Sequence, residues 1–403
     1  MSGVRKILLL ANNFPPTRGG SAVVYANLAQ HMGAQVIVLA PRSSYTDGLP
    51  SIGWREHDRR AAYQVRRLEL LRTRLLPARP SLPGRLAFLA SDLLIRLRLV
   101  LTILFLVATQ GVRVICVGEL LASGWVLALC RRVPGIRTLV YVHGEEITTE
   151  DGYDHGHARA RAALLAADGV VVVSRFTEQR VRRLLGAQKV PLHLIENGVD
   201  TQRFRPGARR DDLVTLYGLE QRPFVFVSVC RLLEKKGIDN ALRAFARLAR
   251  PEARYLVVGV GPYAARLRAI AAECGVAGQV IFAGDVPDDD LVAHYSLGDV
   301  FVMPNRELAN GDTEGFGLVF LEANSCGLPV IAGQDGGSAD AVQDGVNGLV
   351  VDGASVDAIA TAMRALLDDA ALADRLRTGA ALVSQAADWR RKTDAFLEIC
   401  AGL

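Results

Sequence analysis

Two glutamates, Glu314 and Glu322, stand on either side of a glycine-rich turn and an apolar run. They belong to residues 310–340, whose sequence is NGDTEGFGLVFLEANSCGLPVIAGQDGGSAD. The apolar run predicts a helix, with Glu314 in the loop before it and Glu322 about two turns inside it. Glycines at a helix start leave backbone N–H groups free to face an anion, which the helix dipole favours. The stretch therefore predicts a phosphate site beside two carboxylates that accept from hydroxyl groups, as a nucleotide-sugar requires.

A pair of cations precedes this stretch in the sequence. Arg231 directly follows the apolar segment PFVFVSVC, and Lys236 precedes Gly237 at the start of a predicted helix. The carboxyl end of a parallel strand and the first turn of the next helix are where α/β proteins bind ligands. Arg offers a planar fork and Lys a point charge, which together suit a diphosphate. We therefore predict a diphosphate clamp; the alternative is a surface pair.

The first half of the chain has the same alternation of strands and helices. VRKILLLAN and QVIVLAP are predicted strands, and between them Gly19 and Gly20 form a turn before a helix that Ser21 is expected to cap. A strand–helix–strand unit implies a parallel sheet. His143 directly follows a further strand, TLVYV. Gly19, Gly20 and His143 are therefore predicted at the ligand-binding edge of this sheet. The alternative is a plain loop and a structural histidine.

Length and composition predict a folded protein of two domains. The chain has 403 residues, of which 50% are hydrophobic and 22% charged. A polar, proline-bearing stretch at residues 201–222 separates two series of strands and helices. We therefore predict an N-terminal domain over residues 1–204 and a C-terminal domain over residues 205–385. The remaining residues, 386–403, include a basic helix with an amphipathic pattern.

The cysteines and the N-terminus indicate a cytoplasmic protein. Six cysteines lie far apart without a C-x-x-C pair. This pattern argues against a zinc site and a disulfide framework, and it fits a reducing compartment. The apolar run at residues 7–10 is too short for a signal-peptide core and predicts a first strand instead.

Positive charge is concentrated in the first half of the chain. Residues 1–200 contain 26 Lys and Arg against 15 Asp and Glu, a net +11, whereas the remainder contains 21 against 27, a net −6. No zinc knuckle, aromatic RNP-like run or helix-turn-helix signature is present, so no nucleic-acid partner is expected. The densest basic segment covers residues 55–98. Its arginines are Arg55, Arg59, Arg60, Arg66, Arg67, Arg72, Arg74, Arg79, Arg85, Arg96 and Arg98.

Two interpretations of this basic segment and the apolar run after it are open. The charge-free residues 99–112 number 14, fewer than the roughly 20 that span a bilayer. In the first interpretation, residues 86–110 form a buried helix against the sheet and the arginines are a solvated rim. In the second, the segment lies on an anionic membrane surface, where each Lys or Arg contributes about 1 kcal/mol. We favour the second, with peripheral contact on the inner face of the membrane.

The order of these motifs resembles that of the retaining glycosyltransferases of glycosyltransferase family four, which have the GT-B fold. The shared motifs are Gly19 with Gly20, His143 with Gly144, the turn ENGVD, Arg231, Lys236 with Gly237, VVGVGP, Glu314 with GFGLVFL and Glu322, SCGLPVI, and the last Gly-Gly pair. The resemblance spans nearly the whole chain and is weakest over residues 55–98. It implies two Rossmann-like α/β domains facing each other across a cleft, with the C-terminal helix crossing back to the N-terminal domain.

The resemblance also implies residue roles. Arg231 and Lys236 would neutralise the diphosphate, Glu314 would bind sugar hydroxyls near the reacting carbon, and His143 would contact the sugar. These four form the expected catalytic set. The expected donor-binding set comprises Glu322 for the ribose, the backbone at Val286 for the base, the N–H groups of Phe316, Gly317 and Leu318 for phosphate or sugar oxygens, and the loop of Gly19 and Gly20 for phosphate and acceptor.

The implied reaction is retaining transfer of a hexosyl unit from GDP-mannose or a UDP-sugar to a saccharide or lipid-linked acceptor, in cell-envelope or polysaccharide synthesis. Cleavage of a glycosyl–phosphate bond creates a charged leaving group, so preorganised cations and helix N–H groups are the largest expected contribution. No D-x-D motif stands near a predicted sheet end, so no essential metal or other cofactor is expected. The alternatives are a nucleotide-sugar 2-epimerase, a sugar phosphorylase, or a non-catalytic membrane-associated scaffold.

Overall fold

The computed structural model describes residues 6–74, 81–149 and 154–403. The chain divides into two compact units. The first contains the chain up to Val173, Glu178–Ile195 and Trp389–Leu403, and the second contains Ser174–Thr177 and Glu196–Asp388. The predicted boundary at residues 204 and 205 thus lies nine residues after the main division. The final helix groups with the first unit.

The first unit is built on a seven-stranded parallel sheet with the strand order β3-β2-β1-β4-β5-β6-β7. The strands are β1 Lys6–Leu10, β2 Val36–Pro41, β3 Gln64–Leu68, β4 Val112–Val117, β5 Arg137–Val142, β6 Gly169–Val172 and β7 Leu192–Leu194. In the centre, Leu8 pairs with Ile37 on one side and with Ile115 on the other. All three are fully buried. Strands covered on both faces consist of continuous apolar runs, which is why the sequence predicts them well.

Eight α-helices accompany this sheet in the described residues up to Leu185. They are α1 Gly20–Met32, α2 Trp54–Arg60, α3 Leu82–Gln110, α4 Leu120–Ser123, α5 Trp125–Cys130, α6 Glu145–Thr148, α7 Ala158–Ala166 and α8 Arg175–Leu185. The prediction that Ser21 caps the first helix is wrong. The helix begins at Gly20, with Gly19 at the cap position and no side-chain cap. Ser21 lies inside the first turn, where its hydroxyl accepts from the Asn13 side chain at 3.4 Å.

Helix α3 packs on the sheet along a narrow face only. Leu99, Ile103 and Leu106 are its buried residues. Several other large apolar side chains of α3 are exposed, among them Leu86 and Leu93 at 68% and 69%. Residues 86–110 thus form a helix against the sheet, as the first interpretation expects, but most of the helix surface is exposed and not buried. No helix in the described ranges is long and apolar enough to cross a membrane.

The basic segment is not a uniform surface. Arg67 is buried and ion-paired with Asp58: its Nη2 lies 2.8 Å from Oδ1 and its Nε 3.0 Å from Oδ2. Its Nη1 also donates to the carbonyl of Pro41 at 2.9 Å. Arg67, on β3, therefore ties α2 and the end of β2 to its own strand instead of facing solvent. Arg79 lies outside the described residues.

The second unit is built on a six-stranded sheet with the order β10-β9-β8-β11-β12-β13, again with parallel pairs. The strands are β8 Val225–Val229, β9 Arg254–Val258, β10 Val280–Gly284, β11 Val300–Met303, β12 Val330–Gly333 and β13 Gly348–Val351. The helices that follow α8 are α9 Asp211–Leu216, α10 Ile238–Leu248, α11 Ala264–Glu273, α12 Leu291–Tyr295, α13 Leu318–Ser325, α14 Ser338–Ala341, α15 Val356–Asp368, α16 Ala370–Ala386 and α17 Trp389–Gly402.

Helix α17 belongs to the first unit and is anchored there by aromatic side chains. Trp389 and Phe396 are both 1% exposed. The Phe396 ring lies 6.3 Å from that of Tyr141 on β5. Burial of large aromatic rings is among the strongest local contributions to packing, so α17 is an integral part of this unit.

Candidate active site

The predicted residues of the second unit follow the carboxyl ends of its strands. Arg231 comes two residues after β8, Val286 two residues after β10, and Glu314 in the long connection after β11. Because all the strands are parallel, these ends form one edge of the sheet. The alternation of strands and helices thus places these residues at the edge where open α/β sheets bind ligands.

Lys236 and Glu314 form an ion pair at this edge. The Lys236 ammonium donates to Oε2 of Glu314, and the two side chains are only 14% and 15% exposed. The backbone N–H of Phe316 also donates to this carboxylate. Burial alone would raise the pKa of Glu314, but the charge and hydrogen bond of Lys236, with smaller contributions from Lys235 and the Phe316 N–H, together outweigh burial and hold that pKa below its usual value. The predicted phosphate cation and the predicted sugar carboxylate are therefore joined directly.

A second lysine, which the sequence analysis missed, fastens the same loop. Lys235 is 7% exposed. Its Nζ donates to Oδ1 of Asp312 at 2.6 Å and to the carbonyl of Thr313 at 3.2 Å. These residues immediately precede Glu314, so Lys235 fixes the backbone that presents the carboxylate. The adjacent lysines before Gly237 were the available signal.

The guanidinium of Arg231, in contrast, is exposed. Within the described ranges it has no hydrogen-bond or ion-pair partner. A guanidinium presents five N–H donors in a fixed plane, which suits the oxygens of a phosphate group. Arg231 is therefore available to an anion at this edge of the sheet.

The glycines of the VVGVGP motif allow the Arg231 loop to lie against the neighbouring loop. A Cβ on Gly259 would lie 2.0 Å from the Cys230 carbonyl oxygen, and one on Gly261 would lie 2.2 Å from that of Leu232. Two backbone hydrogen bonds, of 3.1 and 2.9 Å, join the same two segments. The motif therefore positions Arg231 by close backbone packing, a role that the spacing of the glycines alone did not indicate.

Helix α13 begins later than the sequence predicts. It starts at Leu318, after Gly317 in the left-handed region at φ 89°. Glu322 is consequently little more than one turn into the helix, and the expectation of two turns is wrong. Glu322 is half-buried, and its carboxylate accepts from the Tyr295 hydroxyl at 2.8 Å. Burial raises the pKa of Glu322, and the Tyr295 hydrogen bond opposes this only in part.

The predicted residues of the first unit lie at the carboxyl edge of its own sheet. His143 directly follows β5, and Gly19 and Gly20 close the loop after β1. The Tyr25 hydroxyl donates to the carbonyl of Gly118 and lies 2.7 Å from Nε2 of His143. Since its own proton is directed to Gly118, this oxygen accepts from Nε2–H. Tyr25 therefore selects the Nε2–H tautomer and leaves Nδ1 as an acceptor.

Burial keeps the His143 imidazole neutral. It lowers the pKa of His143 to about 4. The Tyr141 ring stacks on the imidazole at a centroid distance of 5.3 Å and an angle of 25°. A neutral, oriented imidazole can accept from a hydroxyl group but cannot act as a cation at neutral pH. His143 therefore suits contact with a sugar hydroxyl better than charge neutralisation.

Two half-buried glutamates support these loops and were missed by the sequence analysis. Glu119 accepts from the backbone N–H groups of Asn12 and Asn13, at 2.8 and 3.0 Å, and so fixes the loop that leads to Gly19. Glu146 accepts from the His143 N–H at 2.8 Å. Burial raises the pKa of each to about 7. The position of Glu119 directly after the apolar run VRVICVG, residues 112–118, was the available signal.

We expect Tyr25→Phe to lower turnover about 3- to 10-fold, because it removes the acceptor for His143 Nε2–H at a cost of about 1 kcal/mol. The ring and its packing remain. The ¹⁵N shifts of the imidazole should change from one neutral tautomer to a mixture, and the donor KM should change less than kcat. An unchanged tautomer ratio would contradict the assigned role.

The described part of the chain contains no group of three or more His, Cys, Asp or Glu that could hold a metal ion.

Two family models match the chain. Residues 18–203 match the model described as Glycosyltransferase Family 4, and residues 213–382 match Glycosyl transferases group 1. A GDP-mannose-dependent alpha-(1-6)-phosphatidylinositol monomannoside mannosyltransferase of Mycolicibacterium smegmatis is 34% identical over 359 residues, which cover 86% of this chain and 85% of that protein. This chain belongs to glycosyltransferase family four. The resemblance of its motifs to that family is thereby confirmed.

Solved structures show the fold of this family-four glycosyltransferase. Sucrose-phosphate synthase from Thermosynechococcus elongatus matches with a TM-score of 0.75 and 23% identity, covering 99% of this chain and 98% of that one. The Anabaena protein HepE in complex with UDP and glucose matches with a TM-score of 0.75 and 18% identity, covering 99% and 100%. The predicted GT-B class, with two Rossmann-like parallel-sheet units, is confirmed.

Proposed function

We propose that this glycosyltransferase moves a mannosyl unit from GDP-mannose to a phospholipid-linked acceptor, with retention of configuration, in the synthesis of cell-envelope glycans. The donor and acceptor are those named for the mannosyltransferase of Mycolicibacterium smegmatis, which is 34% identical over most of both chains. The observation that supports the transfer chemistry is the presence, at one sheet edge, of the exposed Arg231 and of the largely buried ion pair between Lys236 and Glu314. UDP-sugars and a soluble saccharide acceptor are the second candidates for donor and acceptor.

The leaving group explains why these charges are needed. When the glycosyl–phosphate bond breaks, negative charge grows on the diphosphate. Arg231 supplies a free planar cation, and Lys236 supplies a second one from a site only 14% exposed, where charge interactions are stronger than in water. Transfer therefore needs no metal as a counter-charge, and we propose that it is metal-independent and needs no other cofactor.

The carboxylates are assigned to the hydroxyl groups of the donor. Glu322 accepts from the ribose and Glu314 from the sugar, while the N–H groups of Phe316, Gly317 and Leu318 face phosphate or sugar oxygens and the backbone at Val286 contacts the base. In the first unit, His143 contacts the sugar, and the loop of Gly19 and Gly20 contacts phosphate and acceptor. These assignments are supported by position. Most of the residues follow the carboxyl ends of parallel strands, and Phe316, Gly317 and Leu318 stand at the start of α13.

Because a phospholipid-linked acceptor lies in a membrane, the proposal includes peripheral contact with an anionic membrane surface on the cytoplasmic side. The exposed arginines of the basic segment include Arg55, Arg66, Arg74, Arg85 and Arg98. Arg67 takes no part, since it is buried against Asp58. Each exposed arginine near such a surface contributes about 1 kcal/mol.

The donor is tested by thermal unfolding with a panel of GDP- and UDP-sugars. A ligand at 100 times its Kd stabilises the native state by about 2.7 kcal/mol, so GDP-mannose should raise Tm by several degrees. The shift should persist in EDTA. A shift with UDP-glucose but not with GDP-mannose would overturn the donor assignment.

The reaction is tested by proton NMR with GDP-mannose and a phosphatidylinositol mannoside acceptor. A new α-mannosidic signal and release of GDP are expected only when the acceptor is present. Accumulation of a 2-epimer from donor alone would indicate the epimerase, formation of a sugar phosphate with inorganic phosphate would indicate the phosphorylase, and donor binding without any turnover would indicate the scaffold.

A further inference from the structure

A pocket of about 380 Å³ opens in the first unit between α3, the α4–α5 segment and α7. Its volume lies within the range of small-molecule sites. Leu71, Ile95, Trp125 and alanines of α5 and α7 form its apolar lining. Its lining contains none of the residues assigned above to donor, sugar or phosphate. The pocket is therefore a second concave surface of the enzyme.

The charged lining of the pocket is predominantly positive. Arg72, Arg96 and Arg159 line it together with one acid, Asp92. Asp92 already accepts from Arg96 Nε at 2.6 Å and from the Thr73 hydroxyl at 3.4 Å, so its charge is compensated within the lining. The pocket thus combines an apolar floor with net positive charge, which suits an amphiphile with an anionic head.

Aromatic rings hold two of these arginines in place. The Arg96 guanidinium lies 5.0 Å from the centroid of the Trp125 ring, and that of Arg72 lies 4.4 Å from the centroid of the Tyr45 ring. A guanidinium stacked on a ring keeps its N–H edge available for hydrogen bonds in the plane. Within the described ranges, Arg72 has no ion-pair partner. Its N–H groups are therefore available to an anionic oxygen.

The outer face of α3 continues from this pocket as a stripe of exposed apolar side chains. The stripe comprises Leu82, Leu86, Leu89, Leu93, Leu97, Leu101, Leu104 and Phe105, which are 46% to 75% exposed. Spacings of three and four residues place them on one side of the helix. At 1.5 Å per residue the stripe is about 35 Å long. Soluble monomers rarely leave such a surface in water, so it marks a contact with another apolar phase or partner.

The charges around the stripe favour an anionic membrane as that contact. Asp92 is the one acidic residue in the sequence between residues 70 and 118. Arg85 and Arg98 flank the stripe, and both are exposed. A second copy of the chain would bring like charges together, whereas anionic lipid head groups would neutralise them. The stripe therefore matches the apolar face of a helix lying in a membrane interface.

We propose that this pocket binds the phosphate group and adjoining glycerol of an anionic phospholipid, while the α3 stripe rests among the acyl chains of the same leaflet. The proposal rests on the membrane contact proposed above and gives it a specific site. Helix α3 links the two surfaces, because Asp92, Ile95 and Arg96 line the pocket whereas Leu93 and Leu97 belong to the stripe. The enzyme is thereby anchored in a fixed orientation at the surface where its acceptor resides.

The test is co-sedimentation of the full chain with phosphatidylcholine vesicles that contain or lack phosphatidylglycerol. Three variants probe the proposal: Arg72→Gln with Arg159→Gln, Ala162→Phe, and Leu93→Ser with Leu97→Ser. Ala162 lines the pocket and is exposed, so phenylalanine there fills space without changing charge. Each variant should reduce partitioning to the anionic vesicles about 5- to 30-fold.

Two control variants carry the same types of substitution, two Arg→Gln or two Leu→Ser, at positions outside the pocket and the stripe. Arg113→Gln with Arg132→Gln removes two exposed arginines elsewhere in the first unit. Leu216→Ser with Leu382→Ser removes two leucines that are 68% and 66% exposed in the second unit. Both controls should sediment with the vesicles nearly as the unmodified chain does.

Several results would overturn the proposal. Normal vesicle binding by Ala162→Phe would exclude lipid from the pocket. If the unmodified chain were a dimer and the variant Leu93→Ser with Leu97→Ser a monomer, a second copy of the chain would cover the stripe. If inorganic phosphate raised Tm in the unmodified chain but not in the variant Arg72→Gln with Arg159→Gln, and that variant still bound vesicles normally, the pocket would be a site for free phosphate and not for lipid. The GDP-mannose shift should persist in every variant; its absence from the unmodified chain would overturn the donor assignment alone.

Discussion

Replacing Arg231 or Lys236 with alanine is expected to lower kcat about 100- to 1,000-fold, the usual effect of removing one preorganised group that stabilises transition-state charge. Arg231 has no competing partner in the described ranges, and Lys236 lies in a largely buried position. Both would face the growing charge of the diphosphate. Initial rates at saturating acceptor, with donor varied, give kcat and KM separately.

A matched control for these changes is Arg375→Ala. Arg375 is an exposed arginine on α16 in the same unit, so its removal changes the net charge equally without touching the site. Its kcat should remain within twofold of the unmodified enzyme. Near-normal turnover in either Arg231→Ala or Lys236→Ala would contradict the diphosphate clamp.

Lys236→Ala should also change how stability depends on pH. With Lys236 present, the pKa of Glu314 is lowered, so the pair contributes stability above the usual glutamate pKa, and this is lost as pH falls through the lowered value. Without Lys236, burial is opposed only by Lys235 and the Phe316 N–H, so the pKa of Glu314 rises and the pair's stabilisation above the usual glutamate pKa is lost. The difference in Tm between the two proteins should therefore widen from about pH 4 to pH 7.

Glu314→Gln is expected to lower kcat about 100-fold with a smaller change in donor affinity. Glutamine keeps the size of the side chain and an oxygen for the Phe316 N–H, but it removes the charge that binds sugar hydroxyls near the reacting carbon. Hydrogen bonds to a charged group contribute about 1.5–3 kcal/mol, and here they are assigned to the transition state. Single-turnover rates and donor titrations measure the two effects separately.

Comparison of Glu322→Gln with Glu314→Gln tests whether the two glutamates have different roles. Glu322 is assigned to the ribose, which does not react, so its loss should weaken donor binding about tenfold while kcat changes little. The hydrogen bond from Tyr295 can be retained by the amide oxygen of glutamine. If Glu314→Gln weakened only donor binding and Glu322→Gln reduced only turnover, the two assignments would have to be exchanged.

The sequence placed the proposed site residues at the sheet edges because each follows a local pattern. Arg231 and His143 come directly after short apolar strands, and the residues around Glu314 precede an apolar helix. In each parallel sheet, the residues that follow the strands lie along one edge of that sheet, however the helices pack. Local pattern was also sufficient to predict two Rossmann-like units, since buried parallel strands consist of continuous apolar runs.

The supports of the site could not be predicted in this way, because they join residues far apart in the chain. Tyr25 and His143 are separated by 118 residues, and Lys235 and Asp312 by 77. Whether two such side chains meet depends on which strands pair and how each helix is rotated against the sheet. Those are properties of the packed structure, and no spacing in the sequence reports them.

Helix start and burial were likewise decided by tertiary structure. Gly317 in the left-handed region delays α13 and shortens the distance from the helix start to Glu322. Gly259 and Gly261 have no Cβ, which allows the backbone of the Arg231 loop to lie close against them. Arg67, one arginine in a basic run, is withdrawn from the surface because Asp58 and two carbonyl groups satisfy its guanidinium inside the fold.

The sequence by itself determined the fold class, the family and the residues that stand at the two sheet edges, because strand and helix periodicity and glycine placement are local. Tertiary structure alone decided which charges are paired, which histidine tautomer is present and which face of α3 stays exposed. The physical reason is that pairing, pKa and exposure depend on desolvation and on partners brought together by packing, and the chain acquires both only when it folds.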